Sequence, residues 1–131
     1  MNAKILSHAD RPIKASELMN LYQDAGWWPE RSEKDIENML KRDVSMGVWS
    51  EGRLIGFARA ITDGKFRAYI EGVVVHSECK KSGIGTELME KLVEELTHID
   101  VISLFCGEEL IPFYEQNKFK PNNSQVVMHR K

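Results

Sequence analysis

From Ile84 to Leu96, the apolar residues Ile84, Leu88, Leu92 and Leu96 recur at every fourth position, with Met89 and Val93 beside them. Glu87, Glu90, Lys91, Glu94 and Glu95 fill the opposite side. That period predicts an amphipathic helix with one buried face. YIEGVVVH before it and VISLFC after it are short apolar runs rich in β-branched residues, which predict strands. Upstream, Ile13 to Ala25 predicts a helix with Leu18, Leu21 and Tyr22 on one side and a stop at Gly26. Ser32 with Asp35 three residues on is a variant capping box, opening a second helix that carries Ile36, Met39 and Leu40. VSMGVWS and LIGFARAIT meet at the turn Glu51–Arg53, and Asp63–Lys65 is a second turn. AKIL predicts a short first strand, GEELIPFYEQNKF a short helix and SQVVMHRK a terminal strand. The order β-α-α-β-β-β-α-β-α-β belongs to a mixed α/β or α+β domain.

Composition narrows the function classes. A chain of 131 residues fits one domain, spanning 1–131, with 42% hydrophobic and 29% charged residues to build a core and a surface. Net charge is −2 with both signs interleaved, which argues against a nucleic-acid partner. No run approaches the length of a membrane span, and MNAKILSHADRP lacks a signal-peptide core. The expectation is a cytoplasmic protein with no membrane partner. Cys79 and Cys106 are far apart, and His8, His76, His98 and His129 form no ligand pair at helical spacing, so no metal site is expected.

The candidate chemistry lies in CKKSGIGT, residues 79–86, between a strand and the strongest helix. A helix N-terminus offers unpaired N–H groups and partial positive charge to an anion, glycines admit close approach, and Lys80 and Lys81 add charge at the rim. A P-loop is excluded because Gly83-Ile84-Gly85-Thr86 has no lysine before the threonine. A dinucleotide fingerprint needs a third glycine where Leu88 stands, and too little chain follows to complete its sheet.

VVVHSECKKSGIGTELMEKL resembles the acetyl-CoA motif of the GNAT (Gcn5-related N-acetyltransferase) superfamily, a hydrophobic strand followed by Arg/Gln-x-x-Gly-x-Gly/Ala opening a helix. LIPFYEQNKF is similar to that family's second signature, Phe-Tyr-Glu-Lys-x-Gly-Phe, and the element order agrees over residues 3–130. Two departures from the pattern need stating. Lys80 stands where Arg or Gln is usual, and Lys118 stands where Gly ends the helix, a left-handed position that Asn117 is expected to take over.

The resemblance implies a mixed, mainly antiparallel central sheet flanked by about four helices, with a splayed cofactor cleft. It implies acetyl transfer from acetyl-CoA to a primary amine by direct attack in a ternary complex. The pyrophosphate would lie on the N–H groups of Lys81, Ser82, Gly83, Ile84, Gly85 and Thr86, with Lys80 and Asn117 also counted as cofactor-binding. The backbone of Val73, Val74 and Val75 would pair with the pantetheine arm like an added strand, and Gly72 is a candidate bulge that opens the cleft. Tyr114 matches the family's tyrosine, which protonates the leaving thiolate.

An alkylamine is only about one part in a thousand neutral at pH 7, a cost of roughly 4 kcal/mol, so a base is required. Glu71, a lone carboxylate in an apolar strand, is the candidate, since burial would strengthen it as a base. The alternative is a solvent-facing or ion-paired carboxylate, and a bulge at Gly72 leaves its direction open. Trp27 and Trp28 are the candidate acceptor-binding residues; otherwise one packs into the core and the other shields it. A small-molecule amine is the expected partner. A non-catalytic acyl-CoA-binding domain and an acetyltransferase of protein amines are the competing readings. Family members often dimerise, and SQVVMHRK is the segment that could contribute.

Overall fold

A computed structural model describes residues 2–131. The sheet has five strands in the order β1-β2-β3-β4-β5, formed by β1 (Ala3–Ser7), β2 (Val44–Ser50), β3 (Arg53–Thr62), β4 (Arg67–Val75) and β5 (Val101–Leu104). The first four pair antiparallel and β5 runs parallel to β4. Four helices flank it: α1 (Ala15–Ala25), α2 (Glu33–Arg42), α3 (Ile84–Glu94) and α4 (Ile111–Glu115). The mixed α/β order read from the sequence, and the mainly antiparallel sheet with four helices that the GNAT resemblance implied, are both present.

Local chemistry sets the boundaries. Gly26 takes a left-handed φ of 75° and ends α1. The Ser32 hydroxyl accepts the Asp35 N–H at 3.1 Å, as the capping pattern requires. The Asp63 carboxylate accepts N–H bonds from Lys65, Phe66 and Arg67 and fixes the β3–β4 turn. These local bonds set the hairpin register.

Each face of the sheet carries its own core. On one side Leu88, Met89, Leu92 and Leu96 of α3 and the turn after it pack on Val48, Ile55 and Ala58. On the other, Leu18, Leu21 and Tyr22 of α1 and Ile36 and Leu40 of α2 pack on Trp49, Leu54 and Phe57. Among the described residues, no helix is long and apolar enough to cross a membrane.

Two expectations are corrected. Residues 124–131 form no strand: the His129 ring lies 6.0 Å from that of Phe105, just past β5, but no backbone ladder joins the two segments, and Val126 and Met128 are 84% and 87% exposed. The left-handed position after α4 is taken by Lys118 itself, with φ 69°, and Asn117 does not adopt it. Asn117 instead donates its side-chain amide to the Thr86 carbonyl at 3.2 Å, tying the end of α4 to the start of α3.

Candidate active site

The cleft begins where β4 and β5 part. Their pairing runs from Arg67–Val101 to Ile70–Leu104 and stops there. On the other edge of β4, Glu71 faces Arg59 and Val74 faces Phe57, so Gly72 and Val73 together oppose Ala58 alone. This is a bulge, and Gly72 takes the left-handed φ of 68° that it requires. Beyond it the ladder resumes, with the His76 N–H donating to the Ile55 carbonyl at 2.8 Å. Alternation along an antiparallel pair then commits the polar backbone of Val74 to β3. That of Val73 and Val75 is directed into the gap left by β5. The Val73 and Val75 side chains pack toward α3, whereas Val74 packs toward α1.

The loop from β4 to α3 continues this edge. A short 3-10 turn, Ser77–Cys79, leads to Lys80, and Lys81 (φ 66°) and Gly83 (φ 83°) are both left-handed. Gly83 is the N-cap of α3 and no side chain caps the helix there, so the first-turn N–H groups of α3 have no partner within the helix. A concave run of unpaired N–H groups at a helix start is suited to an anion. Lys80, Lys81, Ser82 and Gly83 are exposed, while the Ile84 side chain is buried under the loop. The Ser82 hydroxyl donates to the Cys79 carbonyl at 2.6 Å and braces the turn. Gly85 lies close to a side chain instead: a Cβ there would sit 3.0 Å from the ring of Phe113, which would have to shift by a few tenths of an ångström.

Phe113 carries the next residue of interest. Its ring lies 4.8 Å from that of Tyr114, which is also 6.2 Å from Phe119. Burial, reinforced by nearby Cys106, pushes the Tyr114 phenol up to about 12, so the hydroxyl keeps its proton at neutral pH. A protonated phenol beside the strand gap can act as a hydrogen donor to a leaving group.

The opposite face holds an ionic cluster. Arg59 donates from Nε to Glu71 Oε1 at 2.7 Å and from Nη1 to the Asp43 carboxylate. The side chains of Arg59, Asp43 and Glu71 are 13%, 11% and 14% exposed. Burial opposes the Arg59 charge, but Glu71 and Asp43 outweigh it and raise its pKa. Glu71 is thus not an isolated carboxylate among apolar neighbours; the bulge turns it to the α1 side, onto Arg59. Arg31, on the loop between α1 and α2, approaches Glu71 at 4.0 Å. Its guanidinium lies 3.7 Å above the Trp28 ring.

Trp27 and Trp28 are both half-buried, with ring centroids 5.1 Å apart, and Trp28 meets Tyr22 edge-on at 5.1 Å. Neither enters the core alone. They wall a groove of about 390 Å3 shared with Met19, Tyr22, Arg31 and Ile36.

Residues 15–119 match the profile of the acetyltransferase (GNAT) family. The chain belongs to the GNAT family. An uncharacterized N-acetyltransferase of Porphyra purpurea is 33% identical over 113 residues, covering 77% of this chain and 65% of that protein. A chloroplastic serotonin N-acetyltransferase of Oryza sativa is 35% identical over 96 residues, covering 66% of this chain and 47% of its own length. The chain therefore spans less than two thirds of the length of these relatives. A crystal structure of a Staphylococcus aureus protein, named as a probable acetyltransferase, superposes with a TM-score of 0.85 over 99% of both chains at 20% identity, which shows the shared fold.

Within this GNAT domain, Val73, Val75 and Tyr114 pack on the α3-side core, and Gly85 at the start of α3 lies against Phe113 and Val75. Glu71, Trp27 and Trp28 gather on the other face. Arg59, Asp43, Arg31 and Tyr22 join them without having been anticipated. Only Arg59 had a usable signal in the sequence, as the single cation within the apolar run of β3.

Proposed function

We propose that this GNAT domain transfers the acetyl group of acetyl-CoA to the primary amine of a small molecule with an apolar or aromatic body. The observation that carries the reading is the gap between β4 and β5, which leaves the backbone of Val73 and Val75 unpaired. The gap ends at an anion-suited loop and lies beside a protonated tyrosine. Pantetheine has amides to pair with the strand edge, and pyrophosphate has the charge to match the loop. The bound amine attacks the thioester carbonyl, a C–N bond forms, and the C–S bond breaks. Before the attack Glu71 takes the ammonium's proton, directly or through water; as the C–S bond breaks, Tyr114 protonates the departing thiolate and regains a proton from the nitrogen that becomes the amide. The tryptophan-walled groove supports an aromatic acceptor, and the rice relative is named for one such amine.

The test is calorimetric titration with acetyl-CoA, alongside Gly83→Asp. At Gly83 nothing lies within 4 Å of the Cβ position, whereas a side chain at Gly85 would press on Phe113; Asp must adopt the left-handed φ of 83° there, so a thermal melt of the variant accompanies the titration. Saturable binding that is lost in Gly83→Asp, followed by thiol release with 2-phenylethylamine in preference to a polyamine, an amino sugar or a lysine peptide, is the expected result. Turnover of the peptide alone would move the acceptor to protein amines. No binding at millimolar acetyl-CoA would end the enzyme reading.

A further inference from the structure

We infer that Arg31 occupies the acceptor's ammonium position and is displaced when the amine binds, which makes it a residue that selects for monocationic acceptors. The inference rests on the amine-acceptor reading above. Its first support is a charge count. Arg59 bridges two carboxylates, Asp43 and Glu71, so the buried triad carries one net negative charge. One further cation balances it, and Arg31 supplies that cation.

Arg31 is held loosely for such a task. Its nitrogen stands 4.0 Å from Glu71, beyond hydrogen-bond distance, and its side chain is 31% exposed on a loop. By contrast, Arg59 makes direct hydrogen bonds from a central strand. The contacts of Arg31 are also diagnostic. It touches the face of Trp28 at 3.7 Å and approaches the free oxygen of Glu71. An aromatic face and a carboxylate are the two partners an organic ammonium seeks. Arg31, Trp28 and Tyr22 line the same groove and Glu71 does not, so Arg31 is the side chain that links the groove to the carboxylate an amine would seek.

Binding is therefore an exchange of one cation for another at constant local charge. An acceptor with a single ammonium on an apolar body satisfies the triad and the tryptophan together. A polycation would bring excess positive charge into a site already holding Arg59. An acceptor carrying a carboxylate would retain Arg31 as a partner, and its binding would then depend on that residue.

The experiment titrates the CoA-loaded protein calorimetrically at pH 7 with 2-phenylethylamine and with uncharged 2-phenylethanol, using wild type, Arg31→Ala and Arg31→Lys. Arg31→Ala is expected to bind the amine about threefold to tenfold more tightly, the scale of one lost cation–π competitor. Arg31→Lys should stay near wild type, since it keeps the competing charge. The gain for 2-phenylethanol should be smaller, which separates lost competition by charge from space opened by truncation. Weaker amine binding in Arg31→Ala, or an equal gain for both ligands, overturns the inference and leaves the acceptor reading standing. No amine binding to any of the three proteins removes the acceptor reading, and this inference with it.

Discussion

Tyr22 is 2% exposed, its hydroxyl has no hydrogen-bond partner among the described residues, and burial first and Glu71 second push its phenol up. A buried hydroxyl without a partner costs about 1 kcal/mol or more. Tyr22→Phe is therefore expected to raise stability by about 1 kcal/mol in urea denaturation at pH 7. The pH dependence follows from the direction of the shift. Above pH 10 the unfolded phenol ionises while the folded one keeps its proton, so the unfolded state binds fewer protons and stability falls as pH rises. Tyr22→Phe should flatten that alkaline slope, and loss of stability at pH 7 would show that a water or Glu71 satisfies the hydroxyl. Tyr114 is the contrasting residue, since its protonated phenol is assigned to the chemistry. Tyr114→Phe should lower kcat by about 100-fold or more while acetyl-CoA affinity changes less than about twofold. Unchanged kcat would remove it from the mechanism. At this scale the sequence was only partly legible. Glu71 could be singled out as a lone carboxylate, but its partner could not. Yet Arg59 and Glu71 lie equally far from Lys65 at the β3–β4 turn, so hairpin symmetry alone would have paired them. Arg31 and Asp43 reach the cluster from separate elements, and no local pattern brings them there.

The elements themselves were largely readable because their periods are strong and their stops are chemical: Gly26 after α1, Ser32 before α2, Asp63 at the hairpin. The terminal segment failed because alternation and β-branching describe a side-chain pattern, whereas a strand exists only with a neighbour to bond. Gly85 shows the same gap between local and tertiary causes. In sequence it belongs to the phosphate loop; in the fold it makes room for Phe113, and through Phe113 it sets where α4 holds Tyr114. Gly85→Ala gains about 1 kcal/mol of helix propensity but must push a packed ring by a few tenths of an ångström. Stability should stay within about 1 kcal/mol of wild type, since the two effects oppose. The kcat for thiol release should fall severalfold as the tyrosine moves. A variant with full kcat would mean that α4 is positioned by Thr86 and Asn117 instead.

Over the whole molecule, the sheet separates two sets of groups. The loop, the Val73 and Val75 edge and Tyr114 lie with α3 and α4, while the tryptophan groove and Glu71 lie with α1 and α2. The opening between β4 and β5 and the bulge at Gly72 join them. On the function proposed above, the two substrates occupy opposite faces at once and meet through the gap, with no need for the protein to carry the acetyl group between them. Cys79 is buried in the α3-side core and Cys106 is exposed just past β5, close enough to influence Tyr114. Cys106 is thus the one cysteine that a relay could use. Direct attack predicts intersecting initial-velocity lines when acetyl-CoA and amine are varied together, and no protein-bound radiolabel after incubation with labelled acetyl-CoA alone. Cys106→Ser should retain kcat within about twofold, because no covalent step passes through the sulfur. Parallel lines with label on Cys106 would mean that the gap serves one substrate at a time, and that the two faces of the sheet are used in sequence.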